Sequence, residues 1–541
     1  MLDKIYRWID RNILELGREM RLSYLPPLMV YMAAGISGLT GIVGTFFVKE
    51  YLGLSAEFLA ALGFWTVIPW SLKMPLGHLV DLIWRWKSYL VYLGATLIAI
   101  SLVIMVGLLS DREAMASMMS VNAWFVLSTL MGPVGYVIQD AVADAMTVEA
   151  VPRFDSSGQP IDPVRIKLMH TTMQTLGRVA IIGGSVLVAV INLYVFSGVQ
   201  SLPESEKVII YRQIYEMALA IPLISVLGVV FAAWIKYRNV QRMQAQGMSH
   251  QEIELVLREA TEKTDPNWWI LGGSLGFVIF TLIMGLSDIP YNQEIIFVGS
   301  FGIIAFLMFK LVRELAPEAR LTLLGTAIII FVFRATPTTG PGMTWWMIDD
   351  LKFDPEFFSV LSLIGSVLTL FGMFIFRRFM AERSLAYVVG MLTIVGTILA
   401  LPFLGMYYGL HEWTARLTHG IVDARFIAIV NTALESPLGQ IAMIPMLAWI
   451  ANSAPPNLKA TYFAVMASFT NLALSLSQLG TKYLNQIYIV TREVVNPTTG
   501  VVQVPADYSQ LGELILVTII LGLVLPFAAI ALARVAGLKW A

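Results

Sequence analysis

Phe46-Phe47-Val48-Lys49-Glu50-Tyr51-Leu52-Gly53-Leu54-Ser55-Ala56-Glu57-Phe58 has a near twin later in the chain, Trp345-Trp346-Met347-Ile348-Asp349-Asp350-Leu351-Lys352-Phe353-Asp354-Pro355-Glu356-Phe357. Each runs from an aromatic-ended apolar block, through a short acidic loop, into a block that opens with Glu-Phe. The blocks around them are roughly 20 residues or longer, the length a helix needs to cross hydrocarbon. The composition agrees: of 541 residues 57% are hydrophobic and 13% charged, the net charge is −1 and there is no cysteine. A soluble domain carries about 25% charged residues. A disordered chain, a disulfide scaffold and a charge-driven nucleic-acid binder are excluded. A thiolate zinc site or catalytic cysteine is excluded too, and five histidines without close pairing offer no metal set. Lipid offers the backbone no hydrogen bonds, so such blocks must be helices; barrel strands alternate over about ten residues, and these blocks do not. The expectation is an all-α, polytopic membrane protein.

About fourteen spans meet the length criterion. Six lie near Pro26–Val48, Glu57–Val80, Ser88–Leu109, Ser120–Val148, Val164–Val195 and Tyr211–Ile235. After a polar stretch, Lys236–Asn267, come two near Trp268–Ser287 and Ile295–Val312. The last six lie near Leu321–Met347, Glu356–Phe376, Ser384–Tyr408, Val422–Ile450, Thr461–Gln486 and Leu514–Val535. With both termini cytoplasmic, about 24 of the 36 basic residues fall on the inner side and about 9 outside, as the positive-inside rule asks. Met1–Arg21 mixes acids with bases and reads as an amphipathic segment on the cytoplasmic face rather than a targeting peptide. A bacterial inner membrane or a plasma membrane is the expected location.

Two six-helix halves related by such a repeat resemble the major facilitator layout, with a substrate site between the halves near mid-membrane. The expected division is a segment over 1–24, a six-helix bundle over 25–236, a linker with two extra central helices over 237–318, and a second bundle over 319–541. The two extra spans read as a peripheral hairpin, or else as a sign that the repeat is misaligned.

Charged residues inside spans are costly and mark function by default. Asp140 and Asp144, four apart, share one helix face; burial and mutual repulsion raise such carboxyls toward neutral pH, so they are candidates for proton coupling. The alternative is an ion pair with Lys73 or Arg178. Glu435 is a third protonatable candidate, or else a helix-to-helix hydrogen bond. Lys73, Arg178 and Arg334 are the basic residues inside spans. Arg334 precedes Ala335-Thr336-Pro337-Thr338-Thr339-Gly340-Pro341-Gly342, where two prolines and two glycines must break the helix. Broken helices at membrane depth line binding sites. The first span carries Gly35, Gly38, Gly41 and Gly44, read as a close-packing stripe. Asn471, Ser475 and Gln478 form a polar stripe toward a cavity or a neighbouring helix.

Pro69-Trp70-x-x-Lys73-x-Pro75-x-Gly77-x-x-x-Asp81, followed by Arg85 and Lys87, ends the second span. Gly77 would let helices approach, and Asp81 with Arg85 and Lys87 would form a charge-assisted gate between bundles, or else a solvated loop. Glu149 is a further gate or surface acid. This motif resembles the signature of the folate–biopterin transporter family, within the major facilitator superfamily. Gln139-Asp140-Ala141-Val142-Ala143-Asp144-Ala145-Met146-Thr147-Val148-Glu149 resembles its fourth-span motif. Ile444-Pro445 with Ala460-Thr461-Tyr462-Phe463-Ala464-Val465-Met466-Ala467-Ser468-Phe469-Thr470-Asn471-Leu472 resembles its tenth- and eleventh-span signature. Met74, Leu76, His78, Lys459 and the two middle spans depart from the pattern.

The resemblance implies transport of folate or a pteridine, with protons as partner. Lys73, Arg178 and Arg334 then become counter-charges for folate carboxylates, each with an alternative pairing to Asp140, Asp144 or Glu435. Trp70 would stack on a flat heterocycle, and Asn471 and Gln478 would bond a pterin ring. No P-loop, dinucleotide fingerprint or nucleophile elbow in a suitable setting is present, so neither an enzyme nor a cofactor is expected. The rivals are a facilitator-type carrier of another organic anion, a membrane-embedded enzyme and a transport-inactive sensor.

Overall fold

The computed structural model describes residues 10, 15–52, 54–71, 73–152, 161–245, 247–249, 253, 268–285, 289–313, 317–376, 383–439, 441, 459–495 and 502–540. The first bundle begins with α1 (Leu25–Ile36), a 3-10 turn over Ser37–Thr40 and α2 (Gly41–Tyr51). It continues through α3 (Ala56–Ser71), α4 (Lys73–Leu82), α5 (Lys87–Ser110), the short α6 (Arg112–Met118), α7 (Val121–Ala150), α8 (Pro163–Phe196), α9 (Glu204–Ala218) and α10 (Ala220–Ala245). A hairpin, α11 (Trp268–Gly285) and α12 (Asn292–Val312), follows. The second bundle holds α13 (Pro317–Arg334), α14 (Pro341–Asp349), α15 (Pro355–Ile375), α16 (Leu385–Tyr407), α17 (Leu410–Leu417), α18 (Ala424–Glu435), α19 (Lys459–Ile487) and α20 (Leu511–Val535). Before α20 lies a short antiparallel ribbon, β1 (Val494–Val495) with β2 (Val502–Val504).

Among the described residues, nine helical segments are long and apolar enough to cross a membrane. The other five expected spans are helical in whole or part among the described residues. The second is described as α3 and α4 on either side of position 72, the Ala335–Gly340 stretch separates α13 from α14, and α19 carries a polar stripe. The hairpin's first helix is apolar throughout Trp268–Gly285, with a shorter apolar stretch, Leu271–Gly285, within it. α18 ends at Glu435, and Gln440, Ile444 and Pro445 lie outside the described residues.

Helix association in lipid rests on close packing, which small residues permit. Gly94 of α5 and Gly135 of α7 face each other so closely that a Cβ on either would strike the other's carbonyl oxygen. Gly35 of α1 sits on the backbone of Ile181 in α8, and Gly184 returns the contact. Gly38 and Gly41 behave differently: a Cβ there meets nothing within 4 Å. The expected glycine stripe therefore packs at Gly35, while Gly38 and Gly41 face open space because the 3-10 turn rotates the helix between them.

The two bundles meet along two long pairings, α3 with α19 and α8 with α15. Phe64 and Ile68 of α3 share a core with Met466, Phe469 and Leu472 of α19 and Phe331 of α13; the Phe331 and Phe469 rings are 4.7 Å apart. The hairpin is clasped onto the first of these seams. Gln293 donates to the Ala61 carbonyl of α3 (3.1 Å), while Glu294 accepts from Lys482 (2.8 Å) and Tyr483 (2.6 Å) of α19. Lys539 pairs with Glu318 at the start of α13, and Lys49 at the end of α2 pairs with Asp349 at the end of α14. Both chain ends thus lie on one face, and the repeated loops on the other.

Candidate functional site

Pro69 lacks an amide hydrogen and so loosens the helix near the end of α3, and Lys73, at the head of α4, reaches its amine across to α7. There it meets both acids, Asp140 at 2.6 Å and Asp144 at 2.8 Å. The Tyr31 hydroxyl donates to Asp144 at 2.5 Å. Asp140 is the deeper acid, with 14% of its side chain exposed against 40% for Asp144, so Asp144 is the one in contact with the surroundings. Of the two sequence readings, the ion-pair arrangement is the one formed here, with Lys73 as the partner; Lys73 is bound to protein and does not stand free for substrate.

Arg178 of α8 lies within electrostatic reach of Asp140, Tyr31 and Arg334. Arg334 ends α13, so the two guanidinium groups come from opposite bundles. Among the described residues neither forms an ion pair. The cluster thus holds three cations against two anions, one positive charge in excess. Two like charges held together in a poorly solvated site are costly, and an anion between them removes the cost. The expected Arg334–Glu435 pair is not formed: Glu435 is exposed, and its hydrogen bond is from Asn431 at 3.5 Å.

The break between α13 and α14 frees backbone groups, and α19 satisfies them. Ser477 donates to the Thr336 carbonyl (2.7 Å), Thr481 accepts from the Thr338 amide (3.0 Å), and Asn485 donates to the Thr339 carbonyl (3.3 Å). Gly340 at φ 73° turns the chain into α14. These three residues, spaced four apart, escaped the sequence reading, although their periodicity matches the stripe that it did find. That stripe turns to α3: Asn471 donates to the Trp70 carbonyl (3.1 Å), and Gln478 packs on Gly63. Ser475 is buried with no hydrogen-bond partner among the described residues. Asn471 and Gln478 therefore join helices at the seam.

The expected gate on the terminal face is described only in part. A Cβ at Gly77 meets nothing within 4 Å among the described residues. Lys87 pairs with Glu149 (2.8 Å) and lies over the Trp84 ring (3.9 Å), which ties α5 to α7 inside one bundle and not across the seam. The side chains of Asp81 and Arg85 are outside the described residues.

The cross-bundle contacts gather on the opposite face, at the repeated loops. Ser55 and Asp354, at matching repeat positions, cap their helices by accepting from Phe58 (3.1 Å) and Phe357 (2.7 Å). Glu57 and Glu356, also matching, each reach the other bundle: Glu57 accepts from Gln486 (2.5 Å) and Glu356 from the Gly198 amide (3.0 Å). Lys49 bonds Asp349, which Tyr508 also engages. Buried Arg492 donates to the Leu54 carbonyl (3.1 Å) above the Trp345 ring (4.9 Å). Its burial pulls the guanidinium below its ordinary range. The repeat held the signal for this latch, since an acid at the same place in both copies is what a two-fold clasp needs.

The latch has a direct test, because a chain without cysteine accepts a single reporter thiol. In a Leu54→Cys background, Lys49→Ala is expected to raise labelling by an impermeant maleimide about five- to tenfold, the change that about 1 kcal/mol of lost pairing produces. Exchanging the charges, Lys49→Asp with Asp349→Lys, should return labelling toward the starting rate.

A cavity of about 430 Å³ lies between the charged cluster and this latch. Its lining includes the turn of the first span at Ser37, Thr40 and Gly41 and the start of α14 at Pro341, Thr344 and Trp345. None of the charged candidates lines it, and Trp70 does not either.

Comparison with known proteins completes the assignment. A POT family transporter solved with 5-aminolevulinic acid superposes with a TM-score of 0.58 at 11% identity, over 95% of this chain and 96% of that one. A mutant of the nucleoside transporter NupG gives 0.51 at 14% identity, over 94% and 99%. At such identities the likeness shows the fold alone, the major facilitator fold. The folate-biopterin transporter of Synechocystis sp. (strain ATCC 27184 / PCC 6803 / Kazusa) is 23% identical over 485 residues, 87% of this chain and 76% of the relative. Folate transporter 2 of Plasmodium falciparum (isolate 3D7) is 28% identical over 158 residues, 29% of this chain and 33% of the relative. Residues 34–537 match the BT1 family, and the chain is a multi-pass membrane protein belonging to that family, the folate–biopterin transporters.

Proposed function

We propose that this protein carries folate or a biopterin-like pteridine across the membrane by alternating access, coupled to protons, with the bundles over 25–236 and 319–541 rocking about the seam and 237–318 linking them. The observation that carries the reading is the pair of arginines, Arg178 and Arg334, set within electrostatic reach of each other from opposite bundles beside the Lys73–Asp140–Asp144 cluster, with no ion pair among the described residues. A dicarboxylate tail is the kind of group that binds two guanidiniums bidentately, and its binding would draw the bundles together.

In this scheme Lys73 holds the acids while the site is empty. Substrate charge at the arginines weakens the hold of Arg178 on Asp140, and a proton taken up through the more open Asp144 restores balance. The clasp at Glu57, Glu356 and Lys49 closes one face, and the termini lie on the cytoplasmic side of a bacterial inner membrane or plasma membrane.

The test is uptake of labelled folate into sealed vesicles with and without an imposed pH gradient. The reading expects gradient-driven accumulation at least fivefold above leakage. Uptake indifferent to the gradient would remove proton coupling, and absence of folate and pteridine uptake would remove the substrate class.

A further inference from the structure

The cavity beside the latch carries no charge, yet it touches both broken spans. Ser37, Thr40 and Gly41 border it where α1 gives way to α2, and Pro341, Thr344 and Trp345 border it where α14 begins after the break. Helix interruptions at membrane depth are where carriers of this architecture expose polar backbone and hydroxyl groups. The walls combine hydroxyls with aromatic faces: Tyr136 and Tyr215 border it together with Ser37 and Thr40, and Ser101 bonds Ser128 at 3.1 Å. The volume of about 430 Å³ falls within the roughly 300–1,000 Å³ typical of small-molecule sites. Such a wall suits a flat, uncharged ring with hydrogen-bonding edges, and it repels a carboxylate for want of a counter-charge.

The cavity is also in line with the charged cluster. Tyr136, in its wall, precedes Asp140 by one helical turn, about 6 Å along α7. Arg334 precedes the cavity residues Pro341 and Thr344 across the short break. A ligand with an acidic end at Arg178 and Arg334 therefore points its other end toward the cavity.

We propose that this cavity is the seat of the heterocyclic end of the substrate, a pterin-like ring held apart from the arginines that take its carboxylates. The proposal rests on the reading of the protein as a folate or pteridine carrier and divides its site in two. The hydroxyl-lined cavity selects the ring, and the arginine pair selects the acid. Trp345 belongs both to the cavity wall and to the platform beneath Arg492, so ring occupancy bears directly on the closed face. The consequence is that ring and tail respond to different substitutions.

Gly41 is the position for testing this. It has ordinary helical backbone at φ −63°, and a Cβ there meets nothing within 4 Å, so Gly41→Leu has room to extend into the cavity that Gly41 borders. The purified full-length protein would be titrated with 6-methylpterin, which has the ring and no carboxylate, and with p-aminobenzoylglutamate, which has the tail and no pterin. Gly41→Leu should weaken 6-methylpterin at least tenfold and p-aminobenzoylglutamate less than twofold. Thr344→Val, which keeps volume and removes a hydroxyl, should weaken the pterin about three- to tenfold and serves if the first variant fails to fold. Arg334→Ala should show the reverse pattern. Equal pterin affinity in wild type and both cavity variants, or no pterin binding by a wild type that takes up folate, overturns this placement and leaves the carrier reading standing. A wild type that binds pterin as described but takes up no folate overturns the carrier reading instead.

Discussion

Arg334→Ala is expected to reduce labelled-folate uptake to below about 3% of wild type at equal protein level in the membrane. Arg334 and Arg178 come from different bundles and lack ion-pair partners among the described residues, so in the proposed function the substrate carboxylate is their counter-ion. A charge-assisted hydrogen bond is worth about 1.5–3 kcal/mol, and a bidentate pair adds a second. Losing about 2–4 kcal/mol of binding lowers affinity roughly thirty- to a thousandfold. Arg334→Lys keeps the charge but loses the fork, and should retain only about a tenth of the uptake. The fold should tolerate the alanine, since removing one of two like charges relieves repulsion. A melting temperature in detergent unchanged or slightly raised would show this, and wild-type uptake by the alanine variant would take Arg334 out of the site.

The second large effect is expected at Asp140. Asp140→Asn removes the deeper of the two carboxylates bonded by Lys73 and keeps the shape of the side chain. Lys73 still has Asp144, so the α4–α7 contact survives. Uptake driven by a pH gradient should fall at least tenfold, while exchange of labelled for unlabelled folate at uniform pH should persist within about threefold. Loss of both would mean that Asp140 is needed to build the site and is not a coupling residue. Asp144→Asn is expected to be milder on assembly, because Asp144 is more exposed, though it also gives up the Tyr31 bond.

Much of the architecture was readable from the chain because the bilayer leaves so few choices. Long apolar blocks must be helices, and the Phe46–Phe58 repeat at Trp345–Phe357 required two related halves. The break before Gly340 was legible in its prolines and glycines, and the Lys73, Asp140 and Asp144 charges announced themselves by their cost. What stayed hidden were contacts between residues far apart in sequence. Nothing local in α19 says that Ser477, Thr481 and Asn485 will cap the broken helix while Asn471 and Gln478 turn to α3; that depends on which way a whole helix is rotated. The gate was sought at the basic motif around Gly77 and Lys87, where charges are dense. Among the described residues the clasp across the seam gathers at Glu57, Glu356, Lys49 and Arg492, whose partners are 158 to 438 residues away. Gly41 carried a misleading signal, since a small residue reads the same whether it admits a neighbouring helix or leaves room for a ligand.

The account turns on one idea, that an anion bridges arginines from two bundles which then exchange their open faces as a unit. Counterflow tests it most directly: proteoliposomes loaded with unlabelled folate are diluted into a trace of labelled folate at equal pH on both sides. The account predicts a transient accumulation of label well above equilibrium for wild type, retained by Asp140→Asn and absent from Arg334→Ala. No overshoot in wild type, or an equal overshoot in Arg334→Ala, would contradict it.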